Sequence, residues 1–502
     1  MELQLQKYEL EHLERAWCHR AVGEQTADVV VPDSIGDVDR ILEAFGILTV
    51  RDMECLADSV SISGMVQAGV LLVDSKGELH SLPVQIPFVV RKELGSLIEG
   101  GIPSYGCELR CVDARMVHSR KLLVRVGFQW SFEVYSSCTR SISYLEEPSD
   151  RLWLRCAEYP MELPTATGLK QFTVNEELEL SENSPAVAEM LKWHTRMHIL
   201  DQKVVGTKAV FKTELLVHLL YEDPQGKLCT YDWRIPLSQF VELSADGDGG
   251  RVSTRLHITE WELEPDNRVE SRRLFLRVGM EARSLLWETR SVNVIEDAYC
   301  TDASMEPQWD RWQFRPILDS HSISGTARWR GEEDMGTVVD LWAHHESGEL
   351  QQKEEAVAFR IPVVCSILYY DKEGKLRGKQ LRPFMDGELP LHPSGECDLR
   401  DITCTEVYCN MNGGSAEVRV PLQLTVDRYG NQSVHSLSGA ELQPLPATGE
   451  PQPAVILRRT EGEEDLWSIA KSYRTSPKLI AQANALDNGP IPDGTMLLIP
   501  LS

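Results

Sequence analysis

The sequence predicts a mainly β protein with three β-sandwich-like domains in tandem, followed by a small βααβ domain. Three observations predict this. An Asp-x-x-Gly-x-Leu turn interrupts an apolar run at Asp74, Asp223 and Asp371, at spacings of 149 and 148 residues. Apolar and polar residues alternate around each turn, which is typical of sheets with one wet face. A Pro-rich stretch then precedes a tail of different composition.

The N-terminal segment, residues 1–25, is expected to be helical. It carries several glutamates and neither a continuous apolar run nor a small-residue cleavage site, so it does not resemble a secretory signal. No window of the sequence approaches the length of apolar chain that spans a bilayer. We therefore expect a cytoplasmic protein without a membrane span.

Composition disfavours two further classes of function. The chain has 502 residues and a net charge of −26, which argues against nucleic acid as a partner because phosphates are bound mainly by Lys and Arg. The 12 cysteines are scattered without a Cys-x-x-Cys pair, so we expect reduced thiols, no metal site and no cofactor.

Each repeated module is expected to begin with a short capped helix, at residues 33–42, 184–191 and 334–341. A β-hairpin follows, in which Asp opens the turn and Gly takes a positive φ. Its second strand is expected to end near a proline, which belongs on a sheet edge or at a strand end. The predicted domains are 26–140, 170–298 and 314–440. The same strands are also compatible with a barrel.

The tail follows a Pro/Gly linker at 441–454. A strand is predicted at 455–459, a capped helix at 465–473, a second helix at 477–484 and a closing strand at 495–500. The order is βααβ within residues 455–502.

This tail resembles the LysM domain. The segment Leu466-Trp467-Ser468-Ile469-Ala470 matches the first-helix signature of that family, and Ala483-Asn484 followed by Ile491-Pro492-Asp493-Gly494 matches its second-helix and turn signature. The resemblance implies a groove for N-acetylglucosamine-containing chains between two loops. By position, the groove residues would be Gly462, Glu463, Glu464, Asp465 and Leu466, with Asn488, Gly489, Pro490, Ile491 and Pro492.

The first of these loops departs from the family pattern, because Gly462-Glu463-Glu464-Asp465 stands where Gly-Asp-Thr is usual. Additional carboxylates are costly to desolvate against an uncharged glycan. They suit a basic protein partner better, and they are also compatible with a solvated helix N-terminus. Glycan, protein partner and solvated surface all remain open at this point.

Three β modules followed by one LysM resemble the SipL group of spore coat morphogenesis proteins, whose β module is the SPOCS domain. The residues that carry the resemblance are Pro32-Asp33, Ile41-Leu42, the three Asp turns, Ile86-Pro87-Phe88 and Ile235-Pro236-Leu237. The resemblance implies a non-enzymatic coat-assembly scaffold in the mother cell at the forespore surface. It also implies that LysM docks a basement-layer coat protein.

Enzyme signatures are weak. His194 and His198 are spaced for one face of a helix, but no third ligand is evident beyond Asp201. We therefore predict no catalytic residues and no metal ligands. Two alternatives to the scaffold remain: a peptidoglycan- or chitin-binding protein and, ranked below it, a wall hydrolase that LysM targets.

Overall fold

The computed structural model describes residues 3–145, 151–266, 272–332, 335–390, 395–412, 415–445, 453–461, 464–486 and 491–501. Over these ranges the protein is mainly β, with two short helices near the C-terminus. The predicted fold class is confirmed.

Module one is a sandwich of two antiparallel three-stranded sheets. Its strands are β1 (Gln6–Val30), β2 (Val38–Cys55), β3 (Ser59–Asp74), β4 (Leu79–Glu93), β5 (Ile102–His118) and β6 (Lys121–Tyr144). One sheet has the order β2-β3-β4 and the other β1-β6-β5. Apolar side chains from both sheets form one core, and no ladder pairing joins the two sheets among the described residues, so the module is a sandwich and not a barrel.

Module two repeats this arrangement. Its strands are β7 (Leu152–Glu179), β8 (Glu189–Val205), β9 (Lys208–Glu222), β10 (Leu228–Glu242), β11 (Arg251–Pro265) and β12 (Arg273–Cys300). The sheet β8-β9-β10 packs on the sheet β7-β12-β11 around a second core.

Module three has the same plan with shorter strands. After β13 (Ala303–Phe314), the strands are β14 (Ile317–Glu332), β15 (Met335–His345), β16 (Glu349–Gln352), β17 (Val357–Asp371), β18 (Leu376–Leu381), β19 (Phe384–Leu389), β20 (Glu396–Cys404), β21 (Tyr408–Asn412), β22 (Ser415–Tyr429) and β23 (Gln432–Pro444). The long strand β17 pairs with β15, β16, β18 and β19, while β22 pairs with β14, β20 and β21. A third core lies between the two sheets.

The three Asp turns form as predicted. Gly77, Gly226 and Gly374 have φ values of 88°, 77° and 77°. The Oδ1 of Asp74 accepts the backbone N–H groups of Lys76 and Glu78 at 2.9 Å each. The other two turns repeat this pattern, so the sequence identified both the turn and its mechanism.

The predicted helices outside the tail are wrong. Residues 1–25 fall largely in β1, which pairs with β6 along its whole length. The module openings are also extended: a turn lies between Pro32 and Ile35, and β2 begins at Val38. The corresponding stretch at 184–191 leads into β8, and the stretch at 335–341 lies within β15. Asp334 falls outside the described residues. Ladder pairing with a neighbouring strand overrides the local capping signal here.

The prolines after the turns have the predicted edge position, but two of them do not end a strand. Pro87 lies inside β4 and Pro236 inside β10, and both strands are sheet edges. Only Pro383 separates two strands, β18 and β19. An edge strand tolerates proline because its outward positions need no ladder donor.

Long strands extend beyond the sandwiches as three antiparallel ribbons. The ribbons are the outer parts of β1 with β6, of β7 with β12, and β13 with β23. They pack on one another through Leu10, Ile142, Met161, Val292 and Val434 to form a stem. Because β23 reaches Pro444, the predicted linker at 441–454 begins as strand; residues 446–452 fall outside the described ranges.

The tail has the order β24 (Val455–Arg459), α1 (Leu466–Tyr473), α2 (Pro477–Asn484) and β25 (Met496–Pro500). Asp465 and Ser476 cap the two helices through their side chains, as Ser and Asp caps do generally. The strands pair antiparallel, with Leu457 opposite Leu498. This is the predicted βααβ domain. No helix among the described residues is both long and apolar enough to cross a bilayer.

The three sandwiches meet around an approximate threefold axis. Leucines at the same position of each hairpin, Leu71, Leu220 and Leu368, lie in one buried cluster at that axis. Their spacings of 149 and 148 residues equal those of the Asp turns. The repeat in the sequence is therefore a repeat in space.

Candidate functional site

The two loops of the predicted LysM groove lie side by side. The backbone N–H of Ile491 donates to the carbonyl oxygen of Glu464 at 3.3 Å, which joins the loops by a single β-bridge. The carbonyl of Pro492 accepts the hydroxyl of Thr460 at 2.8 Å. Of the predicted groove residues, Gly462, Glu463, Asn488, Gly489 and Pro490 fall outside the described residues.

Glu464 points back onto its own domain. Its carboxylate forms an ion pair with Arg458 at 2.5 Å and accepts the backbone N–H of Glu461 at 3.3 Å. The guanidinium of Arg458 also lies over the ring of Tyr473. One of the acids that distinguish this loop from the family pattern is thus already paired, and its side chain is only 22% exposed.

Asp465 is similarly occupied. Its side chain accepts the backbone N–H of Ser468 at 2.8 Å, as the cap of α1, and pairs with Arg155 of β7 at 3.0 Å. The hydrogen bond from Ser468, together with the charge of Arg155, lowers the pKa of Asp465. Leu466, the last predicted residue of this loop, packs against the LysM core.

The LysM domain lies against the β7/β12 ribbon of the stem through helix α1. The indole N–H of Trp467 donates to Asp297 at 2.7 Å, and the ammonium group of Lys471 donates to the same carboxylate at 2.5 Å. The hydroxyl of Tyr299 donates to the carbonyl of Thr475 at 2.7 Å, and the Tyr299 ring meets Trp467 edge-on at 5.0 Å. We call these residues, with Arg155 and Asp465, the docking contact. Sequence reasoning missed it because its halves are more than 160 residues apart.

The outer face of the LysM sheet carries exposed apolar side chains. Val455, Leu457, Met496 and Leu498 are 44–62% exposed, and Leu457 lies opposite Leu498 in the ladder. Alternate residues such as Leu497 and Ile499 point into the LysM core. The domain therefore presents an apolar surface, which we call the outer sheet face, in addition to its groove.

A buried charged cluster lies on the threefold axis. The ammonium group of Lys192 is 2.7 Å from Glu43 and 2.7 Å from Asp340, which precede and follow it by 149 and 148 residues. The same position of the three modules thus carries Glu, Lys and Asp. The second Asp340 oxygen lies 2.7 Å from His218, whose other ring nitrogen is 2.5 Å from Asp232. Residues 43, 192, 218 and 340 are called the axial charge cluster below.

Mutual attraction outweighs burial at Asp340, Lys192 and His218 of this cluster, whereas burial prevails at Glu43. Burial disfavours the charged form of Asp340, but Lys192 and His218 lower its pKa. Burial also opposes protonation of His218, yet Asp340 and Asp232 raise its pKa to about 9. Burial raises the pKa of Glu43, which Lys192 offsets in part. Sequence reasoning missed this cluster, although the repeat spacing of 149 and 148 residues is the signal that marks positions 43, 192 and 340 as equivalent.

The histidine pair proposed for a helix face lies instead on strand β8. His194 stacks on Trp342 with ring centroids 4.7 Å apart, and burial lowers its pKa well below the usual range. Phe45, at the equivalent position of module one, meets His194 edge-on at 5.9 Å. His194 is thus part of an aromatic layer on the axis, next to the axial charge cluster.

Comparison with known proteins supports the assignment of the tail. No curated protein and no solved structure matches the chain. The resemblance of the β modules to SPOCS domains and to SipL therefore stays a prediction. Residues 462–500, which include both groove loops and both helices, match the LysM domain family.

Proposed function

We propose that this protein is a non-enzymatic scaffold that binds an N-acetylglucosamine-containing glycan, such as peptidoglycan or chitin, through its LysM groove. The observation that carries this proposal is the match of residues 462–500 to LysM, together with a groove whose two loops are bridged from Glu464 to Ile491. Three β sandwiches hold that groove at one end of a stem.

The occupied acids support glycan as the ligand. Glu464 and Asp465 are paired with Arg458 and Arg155, so neither contributes an unpaired carboxylate that a neutral sugar would have to desolvate. Pro492 is an exposed position in the second groove loop.

Binding of the full-length protein to insoluble peptidoglycan and to chitin oligomers tests this function. Pro492→Arg places a long charged side chain at the rim and is expected to weaken binding at least tenfold. Gln482→Arg adds the same charge on the exposed surface of α2, away from the groove loops, and is expected to leave binding unchanged. If wild type and Pro492→Arg bind alike, or neither binds, the glycan proposal is wrong.

A second candidate is docking of a basement-layer spore coat protein, as the SipL resemblance implies. The outer sheet face favours it, because clustered exposed apolar side chains mark protein contacts more often than sugar sites. Under this second candidate function, the protein is a coat-assembly scaffold in the mother cell at the forespore surface.

The two candidates require different surfaces, which makes them separable. Leu457→Glu with Leu498→Glu places two charges on the outer sheet face and leaves the residues of the groove loops unchanged, so glycan binding is expected to persist. Coat docking is supported if this double variant no longer binds a purified basement-layer coat protein while Pro492→Arg still binds it. Loss only in Pro492→Arg assigns the partner to the groove.

The proposal of a scaffold without catalysis has its own support. The axial charge cluster contains strongly perturbed ionisable groups, but the side chains of Lys192 and Asp340 have no exposed surface. A pair without exposed surface cannot contact a substrate, so we assign these two residues to the packing of the modules.

A further inference from the structure

The Asp turn of module one differs from its two counterparts in the residues that follow it. Module one has Glu78 and His80 at the end of the turn that Asp74 opens. The equivalent positions of modules two and three carry neither a carboxylate nor an imidazole, since they are Lys227, Cys229, Lys375 and Arg377. Of the three turns, this one alone combines two carboxylates with a histidine.

The hairpin geometry brings the three side chains together. Glu78 and His80 are two residues apart where β4 begins, so their side chains leave the chain on the same side of the strand. Asp74 ends β3, and its backbone N–H donates to the carbonyl oxygen of Glu78 at 3.0 Å. His80 lies opposite Leu72 in the ladder, which makes it a diagonal neighbour of Asp74. The positions of all three residues are therefore fixed by strand pairing.

The donor atoms of these side chains have the spacing of metal ligands. The Nε2 of His80 lies 3.4 Å from the Oδ2 of Asp74 and 4.0 Å from the Oε2 of Glu78. One ligand atom from each residue lies within 4.8 Å of the other two. Around a tetrahedral Zn²⁺, ligand atoms that are each about 2.1 Å from the ion are about 3.4 Å from one another. Small side-chain adjustments thus suffice for one ion to contact all three.

Two of these donor atoms have unused binding capacity. Asp74 uses its Oδ1 to accept two backbone N–H groups of the turn, so its Oδ2 faces His80. The Nε2 of His80 has no hydrogen-bond partner among the described residues. In module three, Arg377 donates to the Oδ2 of Asp371 at 3.0 Å and supplies a cation at the equivalent place. The arrangement in module one calls for a cation that comes from outside the chain.

The site opens to solvent through one of its ligands. The side chain of Glu78 is 65% exposed, whereas those of His80 and Asp74 are 21% and 1% exposed. A metal ion lies about 2 Å from its ligand atoms, whereas a hydrogen-bonded water lies about 3 Å away. Donors that are grouped too closely for water to touch can therefore still hold an ion. Movement of Glu78 admits the ion, and its return completes the site.

We propose that Asp74, Glu78 and His80 bind one divalent transition-metal ion of the zinc type, with water completing its coordination. One imidazole with two carboxylates suits Zn²⁺, whereas Ca²⁺ and Mg²⁺ prefer oxygen ligands alone. The ion binds the folded hairpin and so stabilises the turn between β3 and β4. Sequence analysis predicted no metal ligands, so this site departs from that expectation. It is separate from the LysM groove and from the function proposed above.

Titration of the full-length, reduced protein with Co²⁺ and Zn²⁺ tests the proposal, with Mg²⁺ as the comparison. His80→Arg and Glu78→Lys introduce the residues that module three has at these positions, Arg377 and Lys375, so both variants are expected to fold. Thermal unfolding without metal checks this. His435→Arg makes the same substitution at an exposed histidine of β23 and is the matched control.

Wild type and His435→Arg are expected to bind one equivalent of Co²⁺, seen by its visible ligand-field absorption, that His80→Arg and Glu78→Lys both lose. Zn²⁺ should displace this Co²⁺ and Mg²⁺ should not. Binding that His80→Arg leaves unchanged assigns the ion to other histidines or cysteines and overturns the site. Absence of Co²⁺ binding in wild type, or equal displacement by Mg²⁺, also overturns it.

Hydrogen–deuterium exchange locates the ion within the chain. Added Zn²⁺ should slow exchange of the backbone N–H groups in the turn that follows Asp74, since the ion fixes the side chain that accepts them. The turns that follow Asp223 and Asp371 are internal controls and should not change. Equal slowing in all three turns, or slowing only elsewhere, contradicts the proposal. Glycan binding by LysM uses none of these residues, so failure of this site leaves that function separately testable.

Discussion

Lys192 illustrates at the residue scale how a buried charge is tolerated. Its ammonium group has no exposed surface, and burial alone would lower its pKa. Asp340 and Glu43, each at 2.7 Å, outweigh that effect and raise the pKa of Lys192. Lys192 is the central member of the cluster, because its removal leaves Glu43 buried without its cation and Asp340 with His218 alone.

Replacement of Lys192 by Met therefore has a large expected effect. Asp340 and Glu43 would lose their shared cation while remaining buried, which costs about 3–5 kcal/mol of unfolding free energy. Urea unfolding measures this change. Lys203→Met on the exposed surface of β8 is the matched control, with an expected effect within about 0.5 kcal/mol. Equal effects of the two substitutions contradict the assigned role of Lys192.

His218 predicts how stability depends on pH. Its folded-state pKa of about 9 lies above the usual value of 6.5, so its contribution is complete below pH 6.5 and is lost as pH rises through 9. Asp340 acts in the opposite sense: its lowered pKa contributes above pH 3.8, and this contribution is lost as pH falls. Urea midpoints between pH 6 and 10 should decline in wild type and be flatter in His218→Gln. A parallel decline in both proteins rules out His218 as the source.

At the element scale, the Asp turns show how a short pattern fixes a hairpin. Asp74 holds two backbone N–H groups, while Gly77 supplies a φ of 88° that other residues adopt at a cost. No atom lies within 4 Å of a Cβ built on Gly77 or Gly374. A side chain there therefore meets backbone strain and not a clash.

Alanine at Gly77 or Gly374 should accordingly lower the unfolding free energy by about 1–2 kcal/mol. Asn at the same positions should lower it less, because Asn tolerates left-handed backbone. The difference between the Ala and Asn variants, measured by thermal or urea unfolding, isolates φ as the cause. An Asn variant as destabilised as the Ala variant would point to some other contact of the turn.

At the scale of the whole molecule, three tandem modules of one chain can carry different residues at equivalent positions, which three identical subunits cannot. Identical copies around a threefold axis would bring three like charges together at the position of Lys192. Tandem modules diverge independently, so this chain places Glu43, Lys192 and Asp340 there and makes them complementary. The axial charge cluster thus favours one assembly of the modules over a symmetric alternative.

The LysM position within the molecule is testable through the docking contact. Asp297→Ala removes the acceptor of both Trp467 and Lys471, which should cost about 1.5–3 kcal/mol of docking free energy. Faster protease cleavage between residues 444 and 455 is the expected readout, since the tail is then held less firmly. Asp302→Ala, which breaks a more exposed ion pair with Arg151 just beyond the end of the same ribbon, is the control. Equal cleavage rates in the two variants would falsify the docking contact.

The sequence by itself determined the parts of this protein that depend on local pattern. Period-two alternation predicted sheets, Asp and Gly at fixed offsets predicted the three hairpins, and a cap at Asp465 predicted the first LysM helix. These features need only neighbouring residues. The same reasoning failed at residues 1–25 and at the module openings, where helices were predicted but distant strands supplied ladder partners.

Only the tertiary structure decided which distant residues meet. Glu43, Lys192 and Asp340 come together because three modules pack around one axis, and Tyr135, Trp287 and Tyr429 surround a cavity for the same reason. The contact of Trp467 with Asp297 depends on the stem and the tail folding side by side. Local sequence patterns do not predict such pairings. A charged residue or a tryptophan has the same secondary-structure propensity whether its partner is near or far in the chain.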